Sequence, residues 1–487
     1  MSSSTNGLSP RRFDQLLDAL RDAAGREHVL HHPQDLLLYE YDGSVSRRMP
    51  DVVVLPETAE QIAVVVRIAG RYDLPIVARG SGTSLSGAAV PREGGIVVST
   101  SRMNRILEMD FRDARAIVEP GVVNLNLTRA AMAGGFNYLP DPSSEKACSI
   151  GGNVALNAGG PHTIAWGVTT NHVTGLEFVT ADGRIVRTGT LAPETSGYDL
   201  TGLLVGSEGT LGIVTRIAVR LVHLLESVRT MLVAFDTVDT ASAAVSEIIA
   251  RGIVPTSLEL MDQICVRAIS KWMPSANLPQ DADAILIIEV EGVEDGLEQT
   301  AAEIAAICTD SGPLEVRRAA TAAERDSLWA ARKGTFGAIG VLAPNYYVQD
   351  GVVPRSRLPE VLRQVYEIGT KYGLEIANVF HAGDGNIHPL ILFDDAEPGA
   401  LERVHAAGTE ILRVCIAAGG TLTGEHGLGM EKNEQLPELL DPADIAAMIA
   451  VRDVFSPARL FNPSKIFPLP LSARRPVAET AVAGPTA

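Results

Sequence analysis

The chain has 487 residues, more than one hydrophobic core normally serves, so at least two domains are expected. It is 46% hydrophobic and 21% charged, as soluble globular proteins are, and its formal charge of −18 argues against nucleic acid or an anionic membrane as main partner, since binding phosphates needs clustered Lys and Arg. Cys148, Cys265, Cys308 and Cys415 have no C-x-x-C spacing, which leaves no zinc finger, iron–sulfur cluster or disulfide framework to read.

In chain order, residues 1–50 read as a polar tail and a helical lead-in, with an amphipathic pattern through Phe13, Leu16, Leu17 and Leu20. No basic and apolar leader opens the chain and no apolar run is long enough to span a membrane, so a cytoplasmic setting is expected. From Asp51 the texture changes to α+β. Val52–Leu55 reads as a strand, and Thr58 with Gln61 three residues later predicts a capping box for a helix through Ile62, Val65, Val66 and Ala69. Further strands are predicted at Pro75–Ala78, Gly95–Ser99 and Ala116–Glu119, in a domain over 51–222. Strands at Met231–Phe235, Ser257–Met261, Ile285–Val290 and Leu314–Arg317, with helices near Ala241–Ala250 and Leu297–Ile307, then make a mixed α/β second domain over 223–430. Residues 431–470 form a C-terminal segment, and the Ala- and Pro-rich tail 471–487 reads as disordered.

Glycine is abundant, with 45 residues, and three segments concentrate it. Arg79-Gly-Ser-Gly-Thr-Ser-Leu-Ser-Gly87 follows a predicted strand, as a loop that brings backbone amides to a pyrophosphate would. It is not the Rossmann fingerprint, because Leu85 stands where the third glycine belongs, and it lacks the P-loop lysine. A turn without a ligand would explain this run alone. It explains less well the recurrence of the pattern in a second segment, Gly206-Ser-Glu-Gly-Thr-Leu-Gly212, and a third, Ser149-Ile-Gly-Gly-Asn153 with Ala158-Gly-Gly160.

Val379-Phe-His-Ala-Gly-Asp-Gly-Asn-Ile-His-Pro389 sets His381 and His388 on either side of a Gly-Asp-Gly turn. If the flanks pair as a hairpin, both imidazoles can face one side. Gly424-Glu-His-Gly427 adds a carboxylate and a third imidazole, and three protein ligands with an open position are what a catalytic metal site needs. Each histidine taken singly is as well explained by a backbone carbonyl partner. Spacing alone does not separate ligand from base. Two His and one carboxylate suit zinc, manganese or iron.

The order of Ala78–Gly87, Pro140-Asp-Pro-Ser-Ser144, Ile150-Gly-Gly-Asn-Val154, Gly206–Ile213 and Leu460-Phe-Asn-Pro463 resembles FAD enzymes of the vanillyl-alcohol-oxidase (PCMH) type. Within them the chain is similar to the FAD subunits of bacterial glycolate oxidases and to the D-lactate and D-2-hydroxyglutarate dehydrogenases, over about residues 30–470. The resemblance implies a PCMH-type FAD domain, a ferredoxin-like cap and a C-terminal segment that returns to the FAD domain. It implies non-covalent FAD, against attachment through His162, held at Arg79, Gly80, Ser81, Gly82, Thr83, Ser84, Gly87, Pro140, Asp141, Ser144, Gly151, Gly152, Asn153, Gly159, Glu208, Gly209, Ile213 and Asn462.

It further implies a divalent metal on His381, His388 and Glu425, His426 as base beside the flavin, and Arg332 on the substrate carboxylate. The substrate is then a 2-hydroxy acid, oxidised to the 2-oxo acid. Relatives acting on 2-hydroxyglutarate carry polar residues where Phe336 and Val348 align, so a small monocarboxylate such as glycolate or D-lactate is expected, with Tyr346 and Tyr347 as further pocket candidates. Electrons would leave to a quinone or a partner. The resemblance implies a second FAD-type subunit and an iron–sulfur subunit, with the chain peripheral at the inner membrane through them; a stand-alone enzyme is the alternative. A nicotinamide dehydrogenase would need the fingerprint that Leu85 spoils, a metallohydrolase leaves the early glycine segments unexplained, and a non-catalytic flavin subunit would not need the His426 motif.

Overall fold

Runs of valine and isoleucine too short for helices build the first sheet of the computed structural model, which describes residues 7–190 and 196–471. Ile76–Arg79 and Val52–Val54 each pair in parallel with Ile96–Ser99, and Val29–Leu30 closes one edge antiparallel to Val52–Val54. Val52–Val54 and Ile96–Ser99 are buried throughout, as strands of a sheet covered on both faces must be. The helices Pro10–Ala24 and Ala59–Tyr72 share its core. Residues 10–30 are thus part of this domain rather than a lead-in that stands apart. The predicted cap forms with a longer reach: Thr58 accepts from Gln61 N at 3.2 Å, while Gln61 Oε1 takes Glu57 N at 2.7 Å, one residue further back than a capping box.

A second sheet runs antiparallel in the order Ile106–Asp110, Arg115–Val118, Ile213–Arg220, Val173–Val179, Ile185–Gly189. Its central strand Ile213–Arg220 starts directly after the Gly206–Gly212 segment. That geometry carries the glycine loop to the end of the sheet.

Beyond Leu221 the described residues form a third sheet of nine strands, all paired antiparallel. Its near-continuous apolar strands have a simple cause. Successive side chains point to opposite faces, and both faces are covered: Met231, Val233 and Phe235 enter one core and Leu232 and Ala234 the other. Six helices cover the two faces, among them Ala322–Ala338 and Leu358–Tyr372. The whole is α+β, as expected, although the cap sheet is larger than the strands read from the sequence. Ile376–His381, Asn386–Ile387 and Pro389–Phe393 complete it, so the histidine motif lies on the cap sheet.

The chain then returns to the first sheet. Ile76 N donates to Leu460 O at 2.9 Å, Asn462 N donates to Ile76 O at 2.6 Å, and Phe461, 1% exposed, fills the first core. Residues 472–487, where a disordered tail is expected, lie outside the described residues. No helix among the described residues is long and apolar enough to cross a membrane.

If the C-terminal segment is structural to the first domain, Phe461→Ala should cost about 3–5 kcal/mol, the usual range for emptying a buried aromatic site. Chemical denaturation followed by flavin release and by far-UV signal would measure it, and a loss below about 1 kcal/mol would contradict this packing.

Candidate active site

A cavity of about 320 Å3 opens between three glycine-bearing segments of the first domain and the cap. The run after Ile76–Arg79 forms one wall, with Arg79, Gly80, Ser81, Gly82, Thr83 and Ser84 on it; Ser144, Gly151, Gly152 and Asn153 form the next, and Glu208, Gly209 and Ile213 the third. The loop can follow this course only with glycine. Gly82 has φ +73°, and a Cβ on it would run into the Arg79 guanidinium, while one on Gly80 would meet Ser149 Oγ. Arg79 itself is 6% exposed, held by Tyr41 O at 2.7 Å and stacked over Tyr39.

Five residues expected at the cofactor do not line this cavity. Gly87 packs against Met430, where a Cβ would collide, and Pro140 O accepts Asn124 Nδ2 at 2.7 Å. Asn462 Nδ2 donates to Ala88 O and to Glu208 O, bracing the loops from behind. Gly159 lines a smaller cavity beside Glu425 and His381. Asp141 is committed to His162 Nδ1 at 2.9 Å and Lys333 Nζ at 3.0 Å. Glu208 does reach the wall, but its oxygens accept Leu428 N and Gly429 N at 2.7 and 2.8 Å.

At the cap end the wall consists of His388, Glu425, His426, Phe336, Tyr346 and Lys333. The Gly-Asp-Gly turn folds as a tight hairpin in which His381 faces Asn386, and His388 lies two residues on. The two rings stand 5.1 Å apart edge to face, and His388 stacks on His426 at 4.8 Å. Ligand atoms of His381, His388 and Glu425 all lie within 4.8 Å of one another. His381 Nε2 is 3.2 Å and His388 Nε2 3.4 Å from Glu425 Oε1. Among the described residues neither nitrogen of His388 has a hydrogen-bond partner. Around the three rings stand the carboxylates of Glu259, Asp350 and Glu425 against the cations Arg332 and Lys432. Two imidazoles and one carboxylate at this spacing are a donor set that a divalent metal accepts.

Asp350 was not legible as a functional residue, since no motif surrounds it. It is fully buried, and it accepts His426 N at 2.9 Å, Thr423 Oγ1 at 2.5 Å, Gly424 N at 3.2 Å and Lys432 Nζ at 3.1 Å. Burial pushes its pKa up, but Lys432, His426 and His388 outweigh that and hold it well below the carboxylate range. Burial likewise opposes ionisation of Glu425, but His381 and its neighbours bring its pKa to about 2. For His426 burial wins: despite Asp350 its pKa falls to about 4, which keeps the imidazole neutral.

Arg332 is not brought to the cavity wall. It is fully buried in the helix Ala322–Ala338, with Nη2 2.5 Å from Glu259 Oε2, rather than solvated near a helix end. Its neighbour Lys333 does reach the wall, but Asp141 and Glu145 hold it, each at 3.0 Å. Phe336 faces His388 at 6.5 Å and Tyr346 at 6.3 Å between ring centres. Val348 and Tyr347 turn away, the first into the cap core and the second to Glu431.

His162 lies behind the cavity wall. Its two nitrogens face Asp141 at 2.9 Å and Glu289 at 3.6 Å, and Glu289 also takes Arg325 and Trp329. With Lys333 this forms a buried ionic seam between the first domain and the cap.

Glycine-lined walls, a cap sheet over them and a returning C-terminus define a flavin-binding oxidoreductase. Two family profiles agree with that class: an FAD binding domain matches residues 50–189, and the C-terminal domain of FAD linked oxidases matches 224–466. The chain belongs to the FAD-linked oxidase family that contains the glycolate oxidase subunit GlcD. It is 42% identical to that subunit of Escherichia coli (strain K12) over 93% of this chain and 91% of the relative, and 41% identical to that of Bacillus subtilis (strain 168) over 92% and 96%. A D-lactate dehydrogenase of Archaeoglobus fulgidus is 34% identical over 85% and 91%. The fold is shared with p-cresol methylhydroxylase, at TM-score 0.81 and 16% identity over 95% of this chain and 98% of that one. It is shared as well with the 4-ethylphenol oxidase of Gulosibacter chungangensis, at TM-score 0.80 and 19% identity over 95% and 99%. The protein is thus an FAD-binding oxidoreductase of the PCMH-type fold.

The seam makes a pH prediction. Burial would lower the pKa of His162, but Asp141 and Glu289 raise it to about 10, above its unfolded value of about 6.5. A raised folded pKa gives stability that is complete below the unfolded value and is lost as pH climbs through the folded one. Thermal midpoints of His162→Gln and the parent protein should therefore differ most at pH 6 and converge toward pH 10. A difference that stays constant over that range would refute a charged His162.

Proposed function

We propose that the protein oxidises a small 2-hydroxy acid, glycolate or D-lactate, to the 2-oxo acid with FAD held non-covalently. The observation that carries this reading is the position of His426 on the wall of the glycine-lined cavity, beside the His381–His388–Glu425 donor set. FAD when bound supplies the hydride acceptor at N5. A divalent zinc, manganese or iron ion when bound on His381, His388 and Glu425 would acidify a substrate hydroxyl.

The residues do the rest. His426 Nε2, the ring nitrogen turned from Asp350, takes the hydroxyl proton as hydride leaves Cα. His388, stacked on His426, and the loop amides on Asp350 keep that ring in one orientation. Arg332 is proposed to receive the substrate carboxylate, supported by its Nε and Nη1, which have no hydrogen-bond partner among the described residues. Since Arg332 does not line the cavity as it stands, this contact requires the substrate to reach beyond the cavity wall. Phe336 and Tyr346 offer no charge to a second carboxylate, which favours a monocarboxylate. The names of the GlcD relatives support work as a subunit. Electrons would then pass to a second FAD-type subunit and an iron–sulfur subunit, or to a quinone, with the protein cytoplasmic and peripheral at the inner membrane through those partners. D-lactate dehydrogenase activity in isolation is the second reading, favoured by the Archaeoglobus relative.

Anaerobic addition of glycolate or D-lactate to the purified yellow protein should bleach the flavin band, with kcat/KM higher than for D-2-hydroxyglutarate. The opposite order would remove the monocarboxylate assignment. His426→Gln should retain FAD yet lower the rate of flavin reduction about 10²- to 10⁴-fold, the usual contribution of a positioned base. Reduction at the parent rate would exclude His426 from that role.

A further inference from the structure

Glu259 has no part in the chemistry above, yet it is 1% exposed at the centre of the cap. It lies on the strand Ser257–Asp262 directly across from His381 on Ile376–His381, so the two side chains leave the sheet on one face. Its Oε1 lies 2.8 Å and its Oε2 3.0 Å from His381 Nδ1, and Oε2 also lies 2.5 Å from Arg332 Nη2, which the helix Ala322–Ala338 lays over the same face. An imidazole that donates Nδ1–H to a carboxylate presents Nε2 with its lone pair free. Nε2 is the atom of His381 that faces Glu425. His388 has no such support: among the described residues its Nδ1 meets no partner.

We propose that Glu259 is the positioning residue of this site, one buried carboxylate that fixes the tautomer and aim of His381 through Nδ1 and the fork of Arg332 through Nη2. This rests on the reading of His381, His388 and Glu425 as a metal site. Glu259 makes His381 the rigid ligand and leaves His388 the adjustable one. It also couples the metal to the carboxylate-binding guanidinium, because any shift of Glu259 moves both.

The test uses the FAD-loaded full chain, freed of metal by a chelator and titrated with Zn2+ against a chromophoric competitor and with Mn2+ by the electron paramagnetic resonance of the free ion. Glu259→Gln should weaken binding of the ion that the parent protein takes by about 10- to 100-fold, the range for loss of a carboxylate behind a ligating histidine, with the flavin spectrum unchanged. Glu259→Asp, which keeps the charge, should fall between the two. Because Glu259→Gln strands the buried Arg332 charge, the double variant Glu259→Gln/Arg332→Met serves where the single one does not fold, and the same weakening is expected in it. Parent-like affinity in either foldable variant overturns the role of Glu259 while leaving the metal site standing. A parent protein that binds neither ion overturns the metal reading itself, and this proposal with it.

Discussion

Asp350 sets the geometry on which the site depends. An ionised carboxylate removed from water is costly unless donors surround it, and here they come from the loop that carries Glu425 and His426: the Thr423 hydroxyl, the amides of Gly424 and His426, and Lys432 from just beyond. From the opposite side Ser86 Oγ donates to His426 O at 2.8 Å, and Glu208 accepts the amides of Leu428 and Gly429. The loop is therefore gripped by the cap at one end and the first domain at the other. Its glycines permit both approaches, since a Cβ on Gly424 would strike Asn386 and one on Gly429 would strike the Ser86 backbone. His426 and the donor set are thereby fixed relative to the glycine-lined walls, which belong to the first domain.

The Asp141–His162–Glu289 seam makes a second connection of the same kind. Asp141, from the first domain, meets Lys333, and His162 reaches Glu289, which is held in turn by Arg325 and Trp329 of the cap. Buried ion pairs of this type add little net stability but penalise any arrangement that leaves one charge alone. Their effect is on alignment: a cap displaced from its seat would strand Lys333 or Glu289 in a low-dielectric gap. This also accounts for Asp141, whose neighbours in sequence suggested a cofactor contact. Its charge serves the join between domains.

Features that depend on short-range chemistry were legible in the sequence. The capped helix after Thr58, the strands at Val52 and Ile96, and the Gly-Asp-Gly hairpin follow from local patterns, and the glycine segments announced a cavity because only small residues allow such approach. The extent of the cap sheet was less visible, because strands buried on both faces read as apolar runs without the alternation that marks a strand. Asp350 and Glu259 were invisible for a stronger reason. Each acts through residues 74 and 122 positions away respectively, and nothing in a run such as Ser257–Asp262 distinguishes a carboxylate aimed at a histidine from one aimed at water. Arg332 shows the same limit in reverse: its motif was recognisable, but its partner, Glu259, was not.

The three histidines illustrate how placement separates roles that residue type leaves open. His381 and His388 are buried and His426 nearly so, and burial alone disfavours the charged form of each. His381 lies between Glu259 and Glu425, whose charges outweigh burial and raise its pKa well above the ordinary value. His426 sees Asp350 only at 3.9 Å, and that carboxylate is already shared among loop amides and Lys432, so burial prevails and the ring stays neutral. Two carboxylates at close range make a place where positive charge is wanted; one distant and saturated carboxylate makes a place where a free lone pair persists. The first suits a cation and the second suits a base, and the division follows from which acidic side chains the two sheets bring within reach of each ring.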